Sequence, residues 1–266
     1  MSKLGEQRED ECFILVKAQP HRSSNYFETV CCAGVGRNGK WRRQYPVPFR
    51  ILQRPQQFKR WSWISYKYVR SDKDPRRESQ RVLPETISVG EKVAEVERAR
   101  FLNPLIRGDL NEADQRGDSL TLVRPKSLSF KAKKLPSDQL DSERSEHAAL
   151  ANQMSMFDET AKPLEPCPYE FRVTWSDQAG VKHEHICDDW ESAGAFFNFR
   201  NRYSEEDALR ILREKYEEEY FAKGLAFAFS THKRRNLHFA KVNQWLLVGL
   251  IRLDDNPQND LFLTNQ

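Results

Sequence analysis

The stretch Thr29 to Ser71, TVCCAGVGRNGKWRRQYPVPFRILQRPQQFKRWSWISYKYVRS, decides how the chain is read. Its 43 residues hold no Asp or Glu, ten basic residues (Arg37, Lys40, Arg42, Arg43, Arg50, Arg54, Lys59, Arg60, Lys67, Arg70) and eight aromatic ones (Trp41, Tyr45, Phe49, Phe58, Trp61, Trp63, Tyr66, Tyr68). Cations gather phosphates and release counterions, and rings between them offer faces on which bases stack, so the composition favours nucleic acid over a generic acidic partner. It equally fits a small β-barrel whose aromatics are core and whose Arg and Lys form a solvated rim. Both can hold in one barrel.

The local pattern supports strands. Gly36-Arg-Asn-Gly-Lys40 permits positive φ in a tight reversal, which predicts a hairpin between residues 26–35 and 40–45. Pro46 and Pro48 remove two ladder donors and mark an edge or extended segment. From Trp61 to Val69, alternation puts Trp61, Trp63 and Ser65 on one face and Ile64, Tyr66 and Tyr68 on the other, so one set is expected in the core and the other outside.

Working outward, the apolar run from Cys12 predicts a strand, and the charged segment from Asp72 to Ser79 a break. Valines at 89, 93 and 96 predict a helix over Ser88 to Ile106, followed by a short helical piece over 110–116 and strands over 119–123 and 128–134. Residues 136–168 turn polar and proline-rich, as a linker does, with one helical piece near 138–153. Beyond them, 169–175 and 181–187 read as a hairpin, Asp188 to Phe199 as a short helix, and Ser204-Glu-Glu-Asp207 as the cap of a long helix ending at Gly224. Strands at 225–229 and 238–253 complete the pattern. The expectation is an α+β chain: a basic aromatic domain over 1–135, OB-like or SH3-like with a helical addition, a linker over 136–168, and an α+β interaction domain of two hairpins and one long helix over 169–266.

Charge divides the same way: residues 1–90 carry 18 Lys and Arg against 9 Asp and Glu, and the remainder 25 against 30. A basic half suits nucleic acid and an acidic half a protein partner. Five cysteines without C-x-x-C spacing and a charged N-terminus point to free thiols in the cytoplasm, and the longest apolar run, 245–251, is too short to span a membrane.

Chemistry-bearing motifs are sparse. His183, His185 and Cys187 alternate on a strand face, with Cys167 a conceivable fourth zinc ligand, but residues two apart on a strand lie about 7 Å apart and fit a half-buried face better. The run Asp188-Asp-Trp-Glu191 suits a helix N-terminus better than a hydrolytic metal. No phosphate-loop, dinucleotide or hydrolase motif occurs, so neither a catalytic residue nor a cofactor is expected.

The strings Val16-Lys-x-x-Pro20, Glu28-Thr-Val-Cys-x-Ala-Gly34, Trp41-Arg-x-x-Tyr-Pro-Val-Pro-Phe-Arg50 and Asp74-Pro-Arg-x-Glu-Ser79, with Pro168-Tyr-x-Phe-x-Val, Asp189-Trp-Glu191 and the region of His232-Lys-Arg-Arg235, resemble an uncharacterised family of two-domain bacterial proteins. The resemblance implies two domains and an association with accessory genes and defence islands, and no activity. The expected function is a nucleic-acid-binding accessory protein without catalysis. Trp41, Trp61 and Trp63 would stack on bases of DNA or RNA, and Lys40, Arg42, Arg43, Arg50, Lys59, Arg60, Lys233, Arg234 and Arg235 would engage phosphates. The alternatives are a metal-dependent enzyme acting on nucleic acid and a structural subunit that uses the aromatic stretch as a protein interface.

Overall fold

The computed structural model describes residues 6–23, 27–71, 74–155, 162–231 and 245–254. Its N-terminal part is built from β1 (Arg8–Lys17), β2 (His21–Ser23), β3 (Phe27–Gly36), β4 (Trp41–Val47), β5 (Ser62–Arg70), β6 (Ser79–Val82) and β7 (Ser88–Lys92). The sheet order β1-β3-β4-β6-β5 closes through a β5–β1 pairing into a five-stranded barrel, while β2 extends β3 and β7 extends β5. All ring pairings are antiparallel except β4–β6. Counted in chain order, the ring runs 1-2-3-5-4, a Greek-key closure that matches the OB-like alternative.

Strand alternation sorts the side chains. Cys12, Ile14, Val30, Cys32, Ile64 and Tyr66 point into the barrel and pack with Phe58, Val82 and Ile87. Phe13, Leu15, Ala33 and Val35 point outward, yet they are buried as well. What covers them is the segment carrying Val93, Ala99, Phe101 and Leu102 together with a four-stranded sheet of order β14-β13-β9-β8, formed by β8 (Ile106–Arg107), β9 (Leu120–Val123), β13 (Leu225–Thr231) and β14 (Trp245–Arg252). Every residue of β13 is buried, because this sheet is sandwiched. Its small residues, Ala226 and Ala228, face the barrel, and its large ones, Phe227 and Phe229, face the core beyond.

That further core lies under a three-stranded sheet of order β10-β11-β12, made of β10 (Ser127–Lys134), β11 (Tyr169–Ser176) and β12 (Lys182–Ile186). Helices α4 (Trp190–Arg200) and α5 (Glu205–Glu214) complete it through Phe196, Ala208 and Leu212. The helix predicted from Ser204 is continuous to Lys223, with a π-helical segment at Lys215–Tyr220, and Gly224 leaves it at φ 102°. Two short helices, α1 (Glu95–Leu102) and α2 (Leu110–Gln115), link barrel and sheet, and α3 (Ser137–Ser155) fills much of the polar segment where a helical piece was expected. No helix among the described residues is long and apolar enough to cross a membrane.

Three local expectations change. The helix predicted from Ser88 begins only at Glu95, since Ser88–Lys92 pairs with β5 as β7. The open edge of β5 offers a ladder there, and Gly90 weakens a helix by about 1 kcal/mol. The ring strand β6 lies at the end of the charged segment read as a break. Strands β9 and β10, grouped by sequence with the first domain, pair with β13 and β11 of the C-terminal part, and β8 joins them by pairing with β9.

Two glycines mark close approaches. A Cβ on Gly249 of β14 would lie 3.2 Å from the Val16 side chain, and one on Gly34 of β3 would lie 2.2 Å from the Phe13 carbonyl oxygen. Backbone cannot yield as a side-chain tip can, so Gly34→Ala is expected to lower unfolding free energy by about 1–3 kcal/mol in urea denaturation. An unchanged midpoint would contradict the β1–β3 packing.

Candidate functional site

Four of the arginines expected to hold phosphates, Arg42, Arg43, Arg50 and Arg60, are engaged within the protein. Arg60, just before β5, donates from Nη2 to both carboxylate oxygens of Asp189 at 3.0 and 2.9 Å and from Nη1 to the Leu250 carbonyl at 2.9 Å. Asp189 is fully buried, caps α4 by accepting from Glu191 N–H at 3.1 Å, and accepts from Leu250 N–H at 3.0 Å. One carboxylate therefore joins barrel, α4 and β14. Lys17 reinforces this joint through Glu191 at 2.9 Å, over the rings of Phe49 and Trp190.

Arg43 is buried, ion-paired with Glu78 at 3.3 Å, and donates to Ser230 Oγ at 2.6 Å and the Ser119 carbonyl at 2.9 Å. Arg50 donates to Glu28 at 2.5 Å, and the other oxygen of that buried carboxylate lies 2.9 Å from His147 Nδ1 on α3. Arg42 pairs with Asp10 at 2.5 Å. Each guanidinium thus meets a carboxylate, and three of the four hold another part of the chain against the barrel.

The tryptophans are half-buried rather than presented. Trp41, Trp61 and Trp63 pack against the core between barrel and sheet. Trp61 takes φ 73° and stacks on Phe13 at 6.3 Å with the Arg98 guanidinium 4.2 Å from its ring, and the Arg37 guanidinium lies 3.7 Å from the Trp63 ring. In barrels of this order, oligonucleotides are taken on the face of the second and third strands. Here that face belongs to β3 and β4, where Ala33 and Val35 are buried, Trp41 is half-buried, and Arg43 is held by Ser119 and Ser230 of the C-terminal part.

Of the expected phosphate contacts, Lys40 and Lys59 stay exposed and hold no ion pair among the described residues. Lys233, Arg234 and Arg235 lie outside the described residues. On β12, His183 Nε2 lies 2.9 Å from Asp177 Oδ2, and His185 Nδ1 accepts from Trp175 Nε1–H at 3.0 Å. Burial, then the neighbouring His183, pushes His185 down to about 4, so it is a neutral acceptor. Cys187 is buried beside Ser192, and burial raises its thiol pKa. Each of the three side chains is thus engaged in its own contact. The Arg60 joint yields a stability prediction: Arg60→Met strands a buried carboxylate and is expected to cost about 3–5 kcal/mol in urea denaturation, with a cost under about 1 kcal/mol refuting the joint.

Sequence reasoning passed over a cleft of about 660 Å³ between barrel, α3, the segment 163–167 and α4. Its α4 wall is Trp190, Ala193, Gly194, Phe197, Arg200 and Asn201, spaced as one helical face, while Ser192 and Phe196 point into the core. That periodicity was visible in the sequence, but nothing there says which face meets a core and which a void. Asp188 opens into the cleft half-buried and without a cation, since Lys17 and Arg60 serve Glu191 and Asp189. Burial, then the Asp189 carboxylate, pushes Asp188 up from 3.8 to about 7.

The folded state therefore holds that proton more tightly than the unfolded chain does, so this group's contribution falls as pH rises from about 4 to about 7 and is level above. Asp188→Asn is expected to raise the thermal midpoint relative to the wild type progressively across that window. A constant offset between pH 4 and 8 would show that Asp188 ionises normally.

Residues 8–104 match the Domain of unknown function (DUF8758), and residues 107–266 match the Domain of unknown function (DUF8757). The division falls between the barrel with α1 and the first strand of the four-stranded sheet. No curated protein matches the chain. A two-domain chain of uncharacterised type, with an OB-like barrel ahead of a C-terminal α+β domain, it belongs to the DUF8757 family.

Proposed function

We propose that the chain is a nucleic-acid-binding accessory protein without catalysis of its own, and that it holds phosphates electrostatically rather than by stacking bases. The observation that carries this reading is the different fate of the cations expected to hold phosphates: the described arginines among them are claimed by carboxylates, and the described lysines are not. Arg42, Arg43, Arg50 and Arg60 are all drawn into ion pairs, while Lys40 and Lys59 on the barrel and Lys131 and Lys133 on edge strand β10 keep exposed ammonium groups. Lysine is a point charge on a flexible stem, suited to sequence-independent phosphate contact.

A partner protein is proposed for the C-terminal domain, whose three-stranded sheet has edge strands at β10 and β12, with Ile186 exposed on β12 and Val181 exposed in the turn before it. Free thiols at all five cysteines suit a reducing cytoplasm, and the family resemblance suits an accessory role in defence.

Binding of duplex and single-stranded DNA and RNA, titrated with salt, tests the reading. Four phosphate contacts on duplex DNA correspond to a log–log slope of about −3.6. Lys131→Glu with Lys133→Glu, or Lys40→Glu with Lys59→Glu, is expected to reduce that slope by about 2, whereas Trp41→Ala lowers stability and leaves the affinity of the folded protein unchanged. Absence of binding at low salt, or indifference to both charge reversals, would overturn it.

A further inference from the structure

The cleft beneath α4 is separate from the lysines just described, and its chemistry is of another kind. Three half-buried aromatics, Tyr169, Trp190 and Phe197, line it. Each is braced from behind: Tyr169 and Phe197 against Phe196 at 5.3 and 5.6 Å, Trp190 against Phe49 at 5.7 Å. Rings fixed in this way present flat walls without reorganisation when something enters.

Between these walls α4 carries Gly194, and a Cβ built there meets nothing within 4 Å. A mid-helix glycine costs about 1 kcal/mol relative to alanine, so the fold keeps a destabilising residue at a point where it opens space. The volume of about 660 Å³ falls within the range of small-molecule sites.

Of the charged groups that line the cleft, Arg50, Glu165 and Glu170 are held by Glu28, Arg144 and Arg172, and Glu143 lies on α3, while Asp188 and Arg200 lie toward opposite ends of the α4 wall. Arg200 is exposed, lies 5.0 Å from the Phe197 ring and holds no ion pair among the described residues. Asp188 stands just ahead of Trp190 without a cation. Trp190 and Arg200 are the first and last of the 11 residues of α4, about 15 Å apart along its axis. A guanidinium seeks an anion, and a carboxyl group seeks an amino or amide edge.

We propose that this cleft is a binding site for a flat heteroaromatic ring bearing an amino or amide edge and one anionic group, in the size class of a nucleoside monophosphate. The ring lies between Tyr169, Trp190 and Phe197 over Gly194, the anion meets Arg200, and the polar edge of the ring meets Asp188.

Calorimetric titration of the full chain with the four ribonucleoside 5′-monophosphates, their nucleosides and inorganic phosphate tests this. At least one monophosphate is expected to bind at one site per chain, at least tenfold more tightly than its nucleoside, while inorganic phosphate gives no saturable heat. Gly194→Phe fills the space and should abolish binding with an equal or higher thermal midpoint. Arg200→Gln should erase the difference between monophosphate and nucleoside, and it carries the test if Gly194→Phe does not fold. Absence of binding by all four monophosphates, binding that survives a folded Gly194→Phe, or an unchanged preference in Arg200→Gln would overturn the proposal. The Lys131→Glu, Lys133→Glu protein should bind the monophosphate normally, and loss of binding there would also overturn it, so this site and the nucleic-acid reading fail separately.

Discussion

The ion pair between Arg60 and Asp189 is the constraint on which the rest of the structure depends. Two ions withdrawn from water lose several kcal/mol of solvation each, and the loss is offset only where geometry and surrounding hydrogen bonds are good. Here the guanidinium meets both carboxylate oxygens, and the Leu250 and Glu191 N–H groups donate to the same carboxylate. These partners come from the loop before β5, the cap of α4 and the middle of β14, so the pair forms only when both domains are folded and docked. It makes the two domains one body and leaves Asp188, the adjacent residue, facing the cleft without a cation.

The same logic sorts the cations, though not by type alone, since Lys17 is half-buried against Glu191 while Arg54 and Arg70 are exposed. A guanidinium is planar, weakly hydrated and able to satisfy several acceptors at once, so it tolerates burial opposite a carboxylate. Arg42, Arg43, Arg50 and Arg60 all take such positions, with Asp10, Glu78, Glu28 and Asp189. An ammonium is compact and strongly hydrated, and Lys40 and Lys59 remain in water. A stretch that reads as a uniform cationic platform is thus two populations, one structural and one at the surface.

Docking also requires small residues where domains meet. Ala226, Ala228 and Gly249 on the barrel-facing side of the four-stranded sheet allow approach to Val16, while Phe227 and Phe229 fill the opposite side. Helix α4 repeats the theme, with Phe196 in the core and Gly194 over the cleft. Residue volume sets the spacing of the layers and thereby the position of the void between them.

By itself the sequence determined the elements whose signals are local. The Gly36–Lys40 reversal, the alternation from Trp61 to Val69, the 169–187 hairpin and the capped helix from Ser204 follow from turn geometry, strand pleat and backbone capping, which depend on near neighbours alone. Barrel character and an α+β class were legible for that reason. The ring closure through β6, the strand at Ser88–Lys92 and the pairing of residues 106–134 with the C-terminal half were decided by tertiary structure, because a strand's partner is set by which edges stand open once other strands have paired. The fate of the cations was decided there too. Charge is a property of a residue, but exposure depends on what packs against it, and the acids that claim Arg42, Arg43, Arg50 and Arg60 lie between 22 and 129 residues away in the chain.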